Sequence, residues 1–332
     1  MDDRFEQPVR VRDAMAFGIT RAQTRTARWE HPFRGVVRLG DPPTCPQTRI
    51  ADVIPLVIEG CALGGWASAY LQGVRYLDGT TRGGELRAVV VHAGEGHQLR
   101  RRAGLRPSRR TLRPWELEDF DGVRVSSLSR AIYDEALDAH SLTEALVAVE
   151  MGVSTVAGHA HTTLARVRQV ADSHVKTRGI VQAREALRRA STRSGSPWET
   201  RLRILAEDLA GIDDWLVNVP VFDLSGNLLG VPDLLDAESG LVLESDGAGH
   251  REEHQHGDDN LREERFERHN LTVVRVMARD HRDPLGIAVR INRARNDAAR
   301  RDMSRDTWTL DQPGWWQTWE PGRRWRTEPP TR

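Results

Sequence analysis

Residues 230 to 251 read GVPDLLDAESGLVLESDGAGHR, two short apolar runs that carry Asp233, Glu244 and Asp246 where a folding chain would sooner place Val or Leu. The runs are bounded by SGN before and DG after, the punctuation of strands. AESG between them, with Gly240 free to adopt a positive φ, closes an antiparallel hairpin. If Asp236 and Leu241 flank that turn, Leu235 faces Val242, Leu234 faces Leu243 and Asp233 faces Glu244. Opposed residues share a face, and Asp246, two beyond Glu244, joins them.

Three acids on one surface are in conflict, since like charges across a ladder cost on the order of 0.2–1 kcal/mol and burial raises that cost or forces protonation. A hard divalent cation such as Mg²⁺ or Mn²⁺ would remove it, because clustered carboxylate oxygens on a rigid hairpin are what such an ion needs. A register shifted by one residue would instead send Asp233 to the opposite face and leave unrelated surface acids.

The 332 residues predict two or three domains, with 39% hydrophobic and 29% charged residues as in ordinary globular protein. No charged-then-apolar leader opens the sequence, and no apolar run approaches the ~18 residues of a membrane helix, so a cytoplasmic protein without a membrane partner is expected. Cys45 and Cys61 lack ligand spacing and read as reduced thiols. A formal net charge of zero argues against coating nucleic acid by bulk electrostatics, while leaving local binding open. Lys176 is the only lysine, so a site that needs a catalytic lysine has almost no candidate. Residues 97 to 113, HQLRRRAGLRPSRRTLR, hold seven Arg and no acid; they suit phosphate contacts, and equally a solvated face.

Residues 8 to 40 outline a winged helix-turn-helix: a helix, a turn at Gly18-Ile19-Thr20 with Thr20 able to cap, a second helix carrying Arg21, Arg25 and Arg28, and a wing at 33–37. A packing module with no nucleic-acid partner has the same outline. Residues 52–74 read as a buried helix pair and 85–93 as a strand, within a mixed middle region over 41–126. Apolar steps of three and four make 127–193 a helical connector, with His140, His159 and His161 at no ligand-like spacing. From 194 to 302 the order is helix, three-stranded meander, helix, strand, helix, an α/β domain. Its first helix opens on Ser196 as N-cap, Pro197 and Glu199, a capping box over the stripe Trp198, Leu202, Leu205 and Leu209. Capping explains Glu199, yet its position also lets it reach a metal on the sheet. The tail, 303–332, holds five of the ten Trp among Pro and Gly; it either docks its indoles or moves freely.

Glu199, Pro232-Asp233, Glu244-Ser245-Asp246-Gly247, His250, Asp259 and Arg262 together resemble the very-short-patch-repair-like branch, of actinobacterial type, of the PD-(D/E)xK restriction-endonuclease-like superfamily, over residues 194–295. Residues 8–40 resemble the N-terminal winged helix of abortive-infection type IV antitoxins, and LGGWASAYLQGV and SLSRAIYDEAL resemble the linking region of such fusions. The resemblance implies a central mixed sheet flanked by helices, Mg²⁺ or Mn²⁺ held by Asp233, Glu244 and the Ser245 carbonyl, and phosphodiester hydrolysis. The superfamily's lysine would fall at Asp246; in the repair-like branch it is likewise missing, which makes His250 the proton-transfer group. Asp246 would orient water and Glu199 would hold a second ion or cap its helix. Arg262, one turn from Asp259, would support His250 or touch phosphate.

Two functions follow as expectations. One is a metal-dependent DNA endonuclease of phage defence or DNA repair, with Arg21, Arg25, Arg28 and Arg262 on DNA. The other is a non-catalytic DNA-binding regulator or antitoxin, with a cognate toxin as partner, built on a degenerate nuclease fold.

Overall fold

The computed structural model describes residues 7–41, 44–94, 96, 99–156, 162–246 and 262–317, and shows a mixed α/β protein with several sheets. Two compact units divide the chain: residues 1–138 with 161–183, and residues 139–160 with 184–332. Among the described residues no helix is long and apolar enough to cross a membrane.

The first unit begins with β1 (Val9–Arg10), α1 (Val11–Ala16), β2 (Trp29–Glu30) and β3 (Val36–Leu39), a sheet of order β1-β3-β2 over Ala14, Trp29 and Val37. The expected second helix is a single 3-10 turn, Gln23–Arg25. Thr20 does cap, its Oγ1 accepting from the Gln23 N–H at 3.2 Å. The turn stops there because Thr24 and Thr26 give their hydroxyls to the carbonyls of Arg21 and Gln23, competing with helical bonding. Arg21, Arg25 and Arg28 are exposed on this turn and the loop after it.

A five-stranded sheet follows, ordered β6-β5-β4-β8-β7, from β4 (Ala62–Gly64), β5 (Val89–His92), β6 (Leu105–Ser108), β7 (Leu117–Phe120) and β8 (Val123–Ser126). Its helices are α2 (Pro46–Val53), α3 (Gly65–Leu71), α4 (Leu128–Asp138) and α6 (Leu164–Ser173). The expected helix pair over 52–74 is therefore the end of one helix, a strand and a second helix. Gly64 and Gly65 make the abrupt change from β4 to α3: a Cβ on Gly64 would come 2.4 Å from the His92 ring, and Gly65 has φ 53°. Charge is buried behind the sheet. Arg130 bonds Asp134 at 2.9 Å and Glu116 at 2.8 Å, all three almost without exposure. From the Arg-rich stretch, Arg106 and Arg110 pair with Asp138, and Arg113 donates to the Ser173 carbonyl. His140 is exposed, while His159 and His161 lie outside the described residues. Cys45 and Cys61 are free thiols.

The second unit contains α5 (Leu142–Val153), which follows α4 in the chain, and α8 (Pro197–Asp208), which the chain reaches through α7 (Ile180–Arg189). Buried Glu150 on α5 accepts from Ser191 N at 2.7 Å and Thr200 Oγ1 at 2.7 Å, and pairs with Arg203 of α8. The strands are β9 (Leu216–Val217), β10 (Val221–Asp223), β11 (Leu228–Gly230), β12 (Leu234–Asp236), β13 (Leu241–Asp246), β14 (Thr272–Met277) and β15 (Trp308–Thr309). The expected meander is two sheets, β14-β13-β12-β9 and β11-β10-β15. The meander breaks at two prolines, Pro220 between β9 and β10 and Pro232 between β11 and β12, where the missing N–H interrupts a ladder.

The hairpin has the expected register: Asp236 faces Leu241, Leu235 faces Val242 and Leu234 faces Leu243. β13 then pairs in parallel with β14. Both faces of β13 are covered. Leu234, Leu241 and Leu243 pack with Leu202 and Leu205 of α8 and with Ile287 and Ile291 of α10 (Pro284–Ala298). Leu235 and Val242 pack with Phe266 of the helical residues 262–268, here α9. The described part of the tail docks on this unit: Trp308 lies in β15, and Trp315 and Trp316, in α11 (Gly314–Gln317), stand edge-on to Phe222 at 5.9 and 5.4 Å.

Candidate functional site

Asp233 stands one residue before the first rung of β12, opposite Glu244 by continuation of the ladder. Having left the ladder, it uses its side chain where a strand would use its main chain. Oδ2 accepts from the Ser245 N–H at 2.6 Å and from Ser245 Oγ at 2.7 Å. The Asp233 carbonyl accepts from the Asn218 N–H at 3.1 Å, which ties this bend to the end of β9.

Glu244 is in the middle of a strand buried on both faces and is only 6% exposed. Its Oε2 accepts from Arg262 Nη2 of α9 at 2.9 Å. Its Oε1 is buried and has no hydrogen-bond partner among the described residues. Burial pushes this carboxyl up to about 8, and the neighbouring charge of Asp233 adds to the rise, against Arg262 and Arg275. Arg275 lies across from Glu244 in the parallel pair, with its Nε 2.8 Å from Glu263.

Glu199 occupies the third position of α8, where the Ser196 hydroxyl accepts from its N–H at 3.3 Å. Its carboxylate accepts from the Gly195 N–H and from Asn218 Nδ2, both at 2.6 Å. Ser196 thus caps the helix as expected, while the Glu199 carboxylate of the expected capping box accepts in return from the N–H of Gly195 rather than that of Ser196. The same carboxyl, also buried, is pushed up to about 8 by burial and then by Asp233. Asp233 is thus the charge that both glutamates feel, and the three acids form one electrostatic group spanning α8, the bend before β12, and β13.

Asp246 shares the face of Glu244 by strand alternation, is half-buried, and its carbonyl accepts from the Ala278 N–H at 3.0 Å. His250 and Asp259 lie outside the described residues, so the pairing of Asp259 with Arg262 does too. Arg262, expected to support His250 or touch phosphate, reaches into the acid group itself. Arg21, Arg25 and Arg28 belong to the first unit.

Two participants carried no recognised signal in the sequence. Asn218 has φ 48° and holds Glu199 through its amide; an Asn two residues before Pro220 marks a strand break, but not a carboxylate partner. Arg275 interrupts the apolar strand TVVRVM, and a cation inside a strand that is otherwise apolar is the trace it leaves.

The donor chemistry suits a hard cation: Glu244 presents an unsatisfied buried oxygen beside a second carboxylate. The present arrangement is not a ready-made ligand set. Among the described residues no group of three His, Cys, Asp or Glu side chains is gathered to hold a metal. Asp233 Oδ2 is engaged by Ser245 and Glu244 Oε2 by Arg262. Comparison with protein-family models, with curated proteins and with solved structures finds no match for the chain.

Proposed function

We propose that the second unit is a metal-dependent phosphodiester hydrolase acting on DNA, of restriction-endonuclease-like architecture. The observation that carries this reading is the buried Oε1 of Glu244, without a hydrogen-bond partner among the described residues, inside a group of three electrostatically linked acids. A core strand that needed only stability would replace such a residue by an apolar one and gain by it. The mixed sheet β14-β13-β12-β9, with α8 and α10 on one face and α9 on the other, supports the architecture. Asp233 and Glu244, with the Ser245 carbonyl, would hold Mg²⁺ or Mn²⁺, which when bound supplies Lewis-acid polarisation of a phosphodiester. Asp246, on the same face, would orient the attacking water. Glu199, fixed by Gly195 and Asn218, would hold a second ion or serve as the cap of its helix. The exposed Arg21, Arg25 and Arg28 are the proposed DNA contacts of the first unit.

Two observations favour a second reading, a non-catalytic DNA-binding regulator or antitoxin with a toxin partner. Arg262 already offsets the charge of Glu244, and an aspartate stands where the superfamily's lysine falls. The two readings part in one experiment. Plasmid, linear and mismatched DNA are incubated with the full chain and Mg²⁺ or Mn²⁺, comparing wild type with Asp233→Ala and Glu244→Ala. Cleavage by wild type that is lost in both variants is the expected result. Equal product from all three proteins would assign it to a contaminant, and DNA binding without product in any of them would favour the regulator.

A further inference from the structure

We propose that Arg262 is an internal counter-cation that keeps the acid group closed, and that a divalent ion gains Glu244 only by displacing its guanidinium. This rests on the metal-site reading above and adds how that site is regulated. Arg262 Nη2 lies 2.9 Å from Glu244 Oε2, with the arginine side chain 21% and the glutamate side chain 9% exposed. The placement is built into the packing of α9. Phe266, one turn further on, is fully buried against Leu235 and Val242. Gly230 leaves the space for both: a Cβ there would come 2.7 Å from the Phe266 ring and 3.1 and 3.2 Å from Cγ and Cδ of Arg262. The stem is thus laid over Gly230 with its head delivered to β13.

The ion pair is one-sided. A guanidinium matches a carboxylate best through two parallel hydrogen bonds. Here Oε1 has no hydrogen-bond partner among the described residues, although it is buried. The other nearby cation, Arg275, has its Nε on Glu263. Among the described residues Arg262 is thus the arginine hydrogen-bonded to Glu244, with Arg275 acting on it only through its charge, in a group that also contains Asp233 and Glu199, and a doubly charged ion would compensate those carboxylates better than the monodentate pair does. Arginine and ion compete for the same carboxylate. Because α9 is anchored through Phe266, the guanidinium can leave Glu244 by side-chain rotation without unseating the helix, and its released donors would then face an anionic phosphodiester brought to the site.

The test is Mn²⁺ binding to the full chain, measured by the electron paramagnetic resonance signal of free Mn²⁺, for wild type, Arg262→Gln, Arg262→Lys and Glu244→Gln. The expected result is binding roughly tenfold tighter in Arg262→Gln, as removing one charge-assisted competitor predicts, with Arg262→Lys between it and wild type and Glu244→Gln weakened. If Arg262→Gln does not fold, Arg262→Lys decides: tighter than wild type supports the counter-cation, equal or weaker overturns it. Equal or weaker binding in folded Arg262→Gln overturns it as well, and leaves the metal-site reading standing provided wild-type binding depends on Glu244. No binding of Mn²⁺ by any of the four proteins overturns both.

Discussion

The acid group should make the stability of the second unit fall as pH rises, opposite to the behaviour of most carboxylates. Glu199 and Glu244 are each pushed from 4.5 up to about 8, by burial first and by Asp233 second. Between those values the folded chain keeps protons that the unfolded chain has released. Their contribution is thus fully present below about 4.5 and is lost as pH rises through about 8. Moving one carboxyl over that range corresponds to a ceiling on the order of 5 kcal/mol. Local relaxation and entry of water lower this, so a relative loss of about 2–3 kcal/mol for Glu244 between pH 5 and pH 8.5 is expected. Glu244→Gln isolates the effect, because the amide resembles the protonated acid in shape and never ionises. Urea unfolding across this pH range, followed through the transition that the variant shifts, should give nearly equal stability at pH 5 and an advantage of the variant that grows as pH rises towards about 8 and levels off above it. Asp233→Asn should flatten the wild-type slope by removing the second cause of both shifts. A gap between wild type and Glu244→Gln that stays constant with pH, or that widens in favour of wild type, would refute the buried-acid account.

Three further substitutions test the packing around these groups. Glu150→Ala removes the acceptor shared by Ser191, Thr200 and buried Arg203, and should destabilise the second unit by about 2–4 kcal/mol in chemical denaturation, because buried donors lose their acceptor and Arg203 keeps only its pair with Glu207. Arg130→Ala strips the cation from between Glu116 and Asp134, and a loss of about 3–5 kcal/mol is expected for the transition of the first unit alone. Gly230→Ala drives a methyl group into Phe266 and the stem of Arg262; it should cost about 1–3 kcal/mol, and amide hydrogen exchange should show the loss in α9 before α10.

What the sequence disclosed and what it hid divide along the range of the interactions concerned. The register of β12 and β13 was readable because a short turn and Gly240 leave one antiparallel closure that places Leu234, Leu235, Val242 and Leu243 in the core. Ser196 and Glu199 announced α8 for the same local reason. Arg130 and Asp134 are spaced like an exposed helical ion pair, and nothing local distinguishes that from the buried network they join, since its other members come from residues far along the chain. Arg262 was hidden similarly: its pairing with Glu244 exists only because the parallel crossover from β13 to β14 brings α9 over Gly230. Thr24 and Thr26, by contrast, carried a local warning against the second helix of residues 8–40, in hydroxyls able to take backbone carbonyls. Pro232 carried another, and its effect reaches the site. By ending β11 it places Asp233 just outside the first rung of β12, where the carboxylate, rather than a main-chain carbonyl, meets the Ser245 N–H. A strand running unbroken through that position would have fixed Asp233 as one more ladder residue; the break lets a single negative charge act on Glu199 and Glu244 together.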